Sequence, residues 1–557
     1  MRAVATFCTA VIAFLCSVIG NYKMKKTNVV TLLLLMLVSV SAHSEVAQSA
    51  DTLLINGKIL TVDDDFSIVQ SLAIRDGRIV AVGSNAETNA LIGTQTKLID
   101  LNGKTVIPGL IDNHLHFIRG VWNFQMEVRL DGIESRTEAM NKIRDKAKQL
   151  EPGKWITVMG GWSYNQFLDN SDRFSLQELD DIAPDNPLFL MIGYSEGFAN
   201  SKALELANVE SSGQARVQGR DNVGEFINLV SWRNKSSDES AIRTYMEELN
   251  RVGLTTVYDV GRPSEGELAP LEAFAKSGDM PLRVFHTLRY NARDAESTAS
   301  ALKMFESEST VPRSNDEQFG LLGLGEHIYS PVTDNPRNSS YWKEEVWAPF
   351  SQISFAAARN GWPVHEHVMS RVMAVQFLDL VEDISAEVPN VKDLRWTFAH
   401  ANGMRDEDIK RAADLGIAFA IHNQARMSVF AVDAPRIGSI AKSGALWGLG
   451  SDGGIVAPYQ PFITLEWVVA GTNVADKEGW SEDQRVSREQ ALIAHTRNNA
   501  ELLFMEQHIG SLEVGKLADL VVLDKDYLTV EENKISELTP LLTMTGGNVV
   551  YTQGEMD

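Results

Sequence analysis

The sequence predicts a (β/α)8 TIM-like barrel joined to a composite β-sandwich formed by the N- and C-terminal segments. Three observations carry that expectation. Apolar, strand-like runs alternate with amphipathic helical stretches about eight times through the middle of the chain. Two β-rich segments with Asn-Gly and Asp-Gly turns flank that middle from opposite ends. Histidines and acids gather where the middle runs stop, and a barrel of this kind keeps its reactive groups at the C-terminal ends of its strands.

Taken in chain order, residues 1–42 read as a signal-peptide region. Met24-Lys25-Lys26 opens a charged stretch, VVTLLLLMLVSVSA supplies the apolar core, and Val40-Ser41-Ala42 offers small residues for cleavage. The run is short for a membrane span. A further apolar piece, MRAVATFCTAVIAFLCSVIG, precedes it, which is odd for one signal, so Met24 reads as the true start. The expectation is a periplasmic or secreted protein without stable membrane association once the signal is removed. Both cysteines, Cys8 and Cys16, fall in the upstream piece, which leaves thiol chemistry no part in the mature chain.

The sandwich is expected from residues 51–108 (DTLLINGKILTVDDD, SLAIRDGRIVAVGS, TKLIDLNGKTVIPG) and 506–557 (GSLEVGKLADLVVLDKD, MTGGNVVYTQGE). Residues 109–505 hold the barrel. Its strands are read as TVIPGLIDNHLHF, LFLMIG, GLTTVYDVG, FGLLGLGEHIY, WPVHEHV, LRWTFAHA, GIAFAIHN and ALWGLGSDGG. A formal charge of −23 argues against nucleic acid or an anionic membrane as a partner, because both repel an acidic surface. A small-molecule substrate is expected instead, and a homo-oligomer stays open.

The first strand ends in His-Leu-His. On a strand, His114 and His116 share one face while Leu115 points away, so two imidazoles can meet one metal ion. The competing reading is two unrelated surface histidines. What weighs against it is the rest of the rim: Glu326 ends the fourth run, His367 the fifth, His400 the sixth and Asp452 the eighth. His422 ends the seventh and is placed within reach of substrate. His286 and His495 read as structural or solvent-facing.

PGLIDNHLHF, RWTFAHAN, GLGSDGGIVAPYQPF and GSLEVGKLADLVVLDKDYLTV together resemble the amidohydrolase superfamily, in particular its YtcJ-like branch, which includes N-substituted formamide deformylase. The likeness runs from about Asp51 to Glu555. It implies a divalent metal, zinc by preference, one or two ions per chain. It further implies that His114 and His116 ligate the more buried ion, that His367 and His400 are ligands from strands five and six, and that Asp452 both ligates and takes the proton of the attacking water. His365 shares the face of His367 and rivals it as the strand-five ligand, with a supporting place behind the ligands or simple packing as the competing reading.

Two departures from that branch matter. Relatives commonly carry a lysine at the end of strand four, which as a carbamate bridges two ions; this chain has no lysine between Lys303 and Lys343. Glu326 is expected to bridge instead, with His327 facing the other way. Ser195, in MIGYSEGFAN, stands where relatives place a substrate-contacting histidine, so Ser195 is expected at the substrate and the substrate is expected to differ. The implied activity is metal-dependent hydrolysis of an amide, N-formyl or cyclic amide C–N bond, with Asp452 as general acid and base. The alternative is a catalytically degenerate barrel that binds a small molecule or regulates a partner.

Overall fold

A computed structural model describes residues 49–210, 213–230, 239–261, 265–288, 292–307, 316–427, 434–474 and 481–554. The signal-peptide reading of residues 1–42 lies outside the described residues. The chain from Ala50 onward forms one compact unit.

Two sheets form the sandwich. One orders Arg78–Gly83, Ser71–Arg75, Thr52–Ile55 and Lys97–Asp100 side by side. The other combines both ends of the chain: the C-terminal strand Leu520–Leu523 runs antiparallel to Thr105–Pro108, with Val521 opposite Ile107. Leu54, Ile74 and Ile99 from the first sheet pack against Val106, Leu520 and Val522 from the second, a fully apolar layer. The composite sandwich is therefore present, and pairing across more than four hundred residues ties the chain ends beneath the barrel.

The barrel is an eight-stranded parallel sheet. Its strands are Leu110–Leu115, Leu254–Asp259, Arg283–Leu288, Phe319–Glu326, Val364–Val368, Thr397–His400, Ala418–His422 and Trp447–Gly450. We number them one to eight. The run read as a single first strand is two. Thr105–Pro108 belongs to the sandwich, and Gly109 is where the chain passes into the barrel. A Cβ on Gly109 would lie 2.2 Å from Thr255 Oγ1, so only glycine permits that passage.

Strands two and three correct the sequence reading. LFLMIG is not in the barrel. It is Leu188–Gly193 of a separate four-stranded sheet inserted between strands one and two, with Ile156–Met159, Glu196–Ala199 and Arg216–Gln218. Trp162, Phe167, Phe174 and Phe198 give that insertion an aromatic core of its own. GLTTVYD supplies strand two. Strand three is RVFHTL, a run that does not look like a barrel strand because it is not apolar throughout. Its Arg283 is buried but makes a two-pronged ion pair with Asp519 at 2.8 and 2.9 Å, and its His286 is buried beside Phe319. One false strand and one missed strand cancel, so the numbering of strands four to eight stands.

Closing the barrel needs strand eight to meet strand one, and side chains do much of that joining. Asn499 Nδ2 donates to Ile111 O at 2.5 Å and to Leu449 O at 2.6 Å, while its Oδ1 accepts from Asn113 Nδ2 at 2.7 Å. Asp112 accepts from Ser451 Oγ at 2.5 Å. Above them, Asp452 N donates to His114 O and His116 N to Gly453 O. Gly448 leaves room for this: a Cβ there would sit 1.9 Å from Asn499 Oδ1.

Asn499→Leu would strand three buried partners at that seam, each costing about 1–3 kcal/mol. The predicted loss is about 3 kcal/mol or more, read from the denaturant midpoint. A loss below about 1 kcal/mol would show that the seam holds without it.

Candidate metal centre

Every strand-end residue singled out in the sequence lies at the same rim. His114 is the penultimate residue of strand one and is fully buried. His116 is not on the strand. It is the first residue beyond it, at the N-terminal cap position of helix Phe117–Asn123. Leu115 between them points into the core, as alternation requires, and the turn into the helix brings the second imidazole round to the first. Both Nε2 atoms face Asp452 Oδ1, at 3.6 Å from His114 and 3.1 Å from His116.

Glu326 ends strand four and faces both sides. Its Oε2 is 3.8 Å from His116 Nε2, and its Oε1 is 3.9 Å from His114 Nε2 and 3.4 Å from His400 Nε2. Oε1 also contacts His367 Nδ1 directly. His367 Nδ1 and His400 Nε2 are 3.0 Å apart. Two donor sets thus share one carboxylate: His114, His116 and Glu326 on one side, Glu326, His367 and His400 on the other. Asp452 closes the first side with His114 and His400.

The spacing fits ions of zinc's kind. Tetrahedral ligands about 2.1 Å from a zinc ion lie about 3.4 Å from one another, and the separations above scatter around that edge. His114 Nε2 is buried, has no hydrogen-bond partner, and points at both carboxylates. A nitrogen lone pair withdrawn from water without a partner is costly unless a cation takes it. Neutral imidazoles with carboxylates are the donors that suit zinc and similar divalent ions.

Backbone strain marks the same residues. His400 and Asp452 sit in the left-handed region, at φ 71° and 58°, which side chains other than glycine seldom adopt. Asp452 does not cap a helix: the next one begins at Pro461, with Gln460 at its cap. Aspartate is common at helix starts, and here it has no such role.

Charge in the pocket is unevenly divided. Burial holds His400 at about 4 and His365 at about 3, and pushes His114 and His422 well below the usual histidine range. These rings are neutral, as ligands must be. Burial alone would raise the Glu326 carboxyl, but His367, His400 and His114 together hold it well below the carboxylate range. Asp452 goes the other way, raised by burial and then by the charge of Glu326. The two carboxyls are thus driven in opposite directions, Glu326 toward the ionised form and Asp452 toward the protonated one. A cation between them would let both ionise.

Other predicted residues fall behind or beside the cluster. His365 sits behind His114, with Nε2 2.9 Å from His114 Nδ1, so the strand-five residue facing Glu326 is His367. His422 is buried under His400, its Nδ1 2.8 Å from His400 Nδ1. His327 turns toward strand five, its ring 4.7 Å from that of His367. Ser195 lies on the exposed turn joining Leu188–Gly193 to Glu196–Ala199, where its carbonyl accepts from Gly219 N. Its neighbour Tyr194 is the residue that reaches back, accepting from Arg119 Nη1 at 2.6 Å. Sequence reading missed Arg119, Asp259 and the seam group. Asp259 ends strand two and accepts from Ile118 N and Gly261 N, fixing the turn that carries His116. An acid closing the apolar run LTTVYD was the available signal.

Residues 97–551 match the family described as "Amidohydrolase family". The chain is 29% identical to Protein LONG AFTER FAR-RED 3 of Arabidopsis thaliana, over 90% of this chain and 92% of that one. It is 24% identical to N-substituted formamide deformylase of Arthrobacter pascens, over 90% and 99%. Among solved structures, a metal-dependent hydrolase of Pyrococcus furiosus superposes with a TM-score of 0.60 at 22% identity, over 86% of this chain and all of that one.

The buried histidines make the protein acid-labile. His365 near 3, and His286, His400 and His495 near 4, stay neutral in the fold while an unfolded chain protonates below about pH 6.5. Their stabilisation is full above that pH and drains as pH falls. Asp112 and Asp259, pushed up to about 6 by burial, act oppositely, since protonation relieves a buried charge. The histidines outnumber them. Metal-stripped protein is predicted to lose about 2–3 kcal/mol per pH unit between pH 6 and 4. Denaturant midpoints in chelator at pH 6 and 5 check this, and a higher midpoint at pH 5 would contradict it.

Proposed function

We propose, from the premise that this chain belongs to the amidohydrolase family, that it is a metal-dependent hydrolase of small-molecule C–N bonds, of amide, N-formyl or cyclic amide type. The observation that carries the reading is the sharing of Glu326 between two imidazole sets, with Asp452 3.1 Å from His116. Two divalent ions, zinc by preference, would be held by His114, His116 and Asp452 and by His367 and His400, with Glu326 between. When bound, such ions supply an acidified water and polarise a carbonyl.

The chain's own groups do the rest. Asp452 takes a proton from the attacking water and delivers it to the departing nitrogen, which needs a leaving group better than an amide anion. Glu326, whose carboxyl is already held well below the carboxylate range, would balance the cationic charge and stay out of proton transfer. Burial of the pocket excludes the bulk water that would weaken these interactions. The likeness to N-substituted formamide deformylase supports an amide or N-formyl substrate. A degenerate binding barrel would have no use for the full donor set. Export to the periplasm is proposed on the N-terminal pattern alone.

Metal analysis of purified protein with a pooled screen of amides, formamides and cyclic amides tests the activity. Metal without turnover of any C–N substrate would sink it. Asp452→Asn is expected to fold and to lower kcat about a hundredfold or more; parent-level turnover would remove Asp452 from proton transfer. Glu326→Ala is expected to lower bound metal from about two ions per chain toward about one. Unchanged content would place the bridge elsewhere.

A further inference from the structure

His365 and His422 are buried beneath the cluster and belong to neither donor set proposed above. His365 Nε2 lies 2.9 Å from His114 Nδ1, and His422 Nδ1 lies 2.8 Å from His400 Nδ1. The rings crowd into one layer: His422 is 4.2 Å from His114 centre to centre at a tilt of 53°, and Tyr258 stands edge-on to His365 at 5.6 Å. Resting on the reading that His114 and His400 bind metal through Nε2, we propose that His365 and His422 are positioning residues. They fix the tautomer and rotation of those two ligands, and so set the metal affinity.

The positions of the ring protons decide which nitrogens can meet a cation. An imidazole that offers its Nε2 lone pair to a cation carries its own proton on Nδ1. That N–H needs an acceptor, most often a carboxylate, a carbonyl or a water. Here the acceptor is a second imidazole in both cases. His365 accepts on Nε2 and keeps its proton on Nδ1; His422 accepts on Nδ1 and keeps its proton on Nε2. If His422 donated instead, the proton on His400 would move to Nε2, the atom that faces Glu326 and His367, and His400 would cease to be a ligand.

An imidazole suits this place because it is neutral. The pocket already buries the carboxyl groups of Glu326, Asp452 and Asp112. A carboxylate acceptor would add another negative charge where desolvation is most costly. A neutral acceptor orients the ligand without that cost.

The test compares four variants in full-length protein: His365→Phe, His365→Gln, His422→Phe and His422→Asn. Phenylalanine keeps the ring volume and removes the acceptor. Glutamine can offer an oxygen near the place of Nε2, and asparagine one near the place of Nδ1. Zinc affinity is read by competition with a chromophoric chelator, and Tm of the stripped protein reports packing. The phenylalanine variants are expected to bind zinc about ten- to a hundredfold more weakly, with most of that loss recovered in the amide variants. Equal affinity in phenylalanine and amide variants, at the parent level or falling in step with Tm, would reduce both histidines to packing and overturn the assignment alone. A parent protein that takes up no zinc would overturn the metal reading and this assignment together.

Discussion

Two carboxylates and a ring of imidazoles share one buried pocket at the top of the barrel, and the upper rim is organised around that constraint. His367, His400 and His114 hold the Glu326 carboxyl well below the carboxylate range, while burial and then the charge of Glu326 push Asp452 well above it. The pocket is short of positive charge. Arg119 is the nearby cation felt by Asp452, and it is turned toward Tyr194 of the inserted sheet. Divalent ions between the carboxylates resolve the imbalance, satisfy the buried His114 Nε2, and let Asp452 ionise.

The fold below serves that placement. Strand eight has to bring Asp452 beside His114, and backbone pairing alone does not close the sheet at that point. Asn499, Asn113, Asp112 and Ser451 span the gap with short hydrogen bonds. The left-handed backbone at His400 and Asp452 is the local cost of turning ligands inward just as their strands end. The two layers of imidazole, ligands above and acceptors beneath, carry that order one shell deeper.

Much of this was legible from sequence, for identifiable reasons. The His-Leu-His pair, Glu326, His367, His400 and Asp452 each follow an apolar run, and the strand-end rule places such residues together without any knowledge of their contacts. The missing strand-four lysine likewise pointed to Glu326. What failed had physical causes. RVFHTL does not read as a strand because burial of Arg283 depends on Asp519, more than two hundred residues away. LFLMIG reads into the barrel because an apolar run does not say which sheet it joins. The contact of His422 with His400 could not be read from sequence, because ring orientation is decided by packing. Asn499 and Asn113 gave no signal, since a lone asparagine looks like a turn residue until its partners are known.

Crystals of the purified protein grown with zinc, and diffraction recorded either side of the zinc absorption edge, test the central claim most directly. The account predicts two anomalous peaks about 3.5–4 Å apart, with Glu326 between them, one beside His114, His116 and Asp452 and the other beside His367 and His400. A single peak that leaves Glu326 unligated, or none among these six residues, would contradict it.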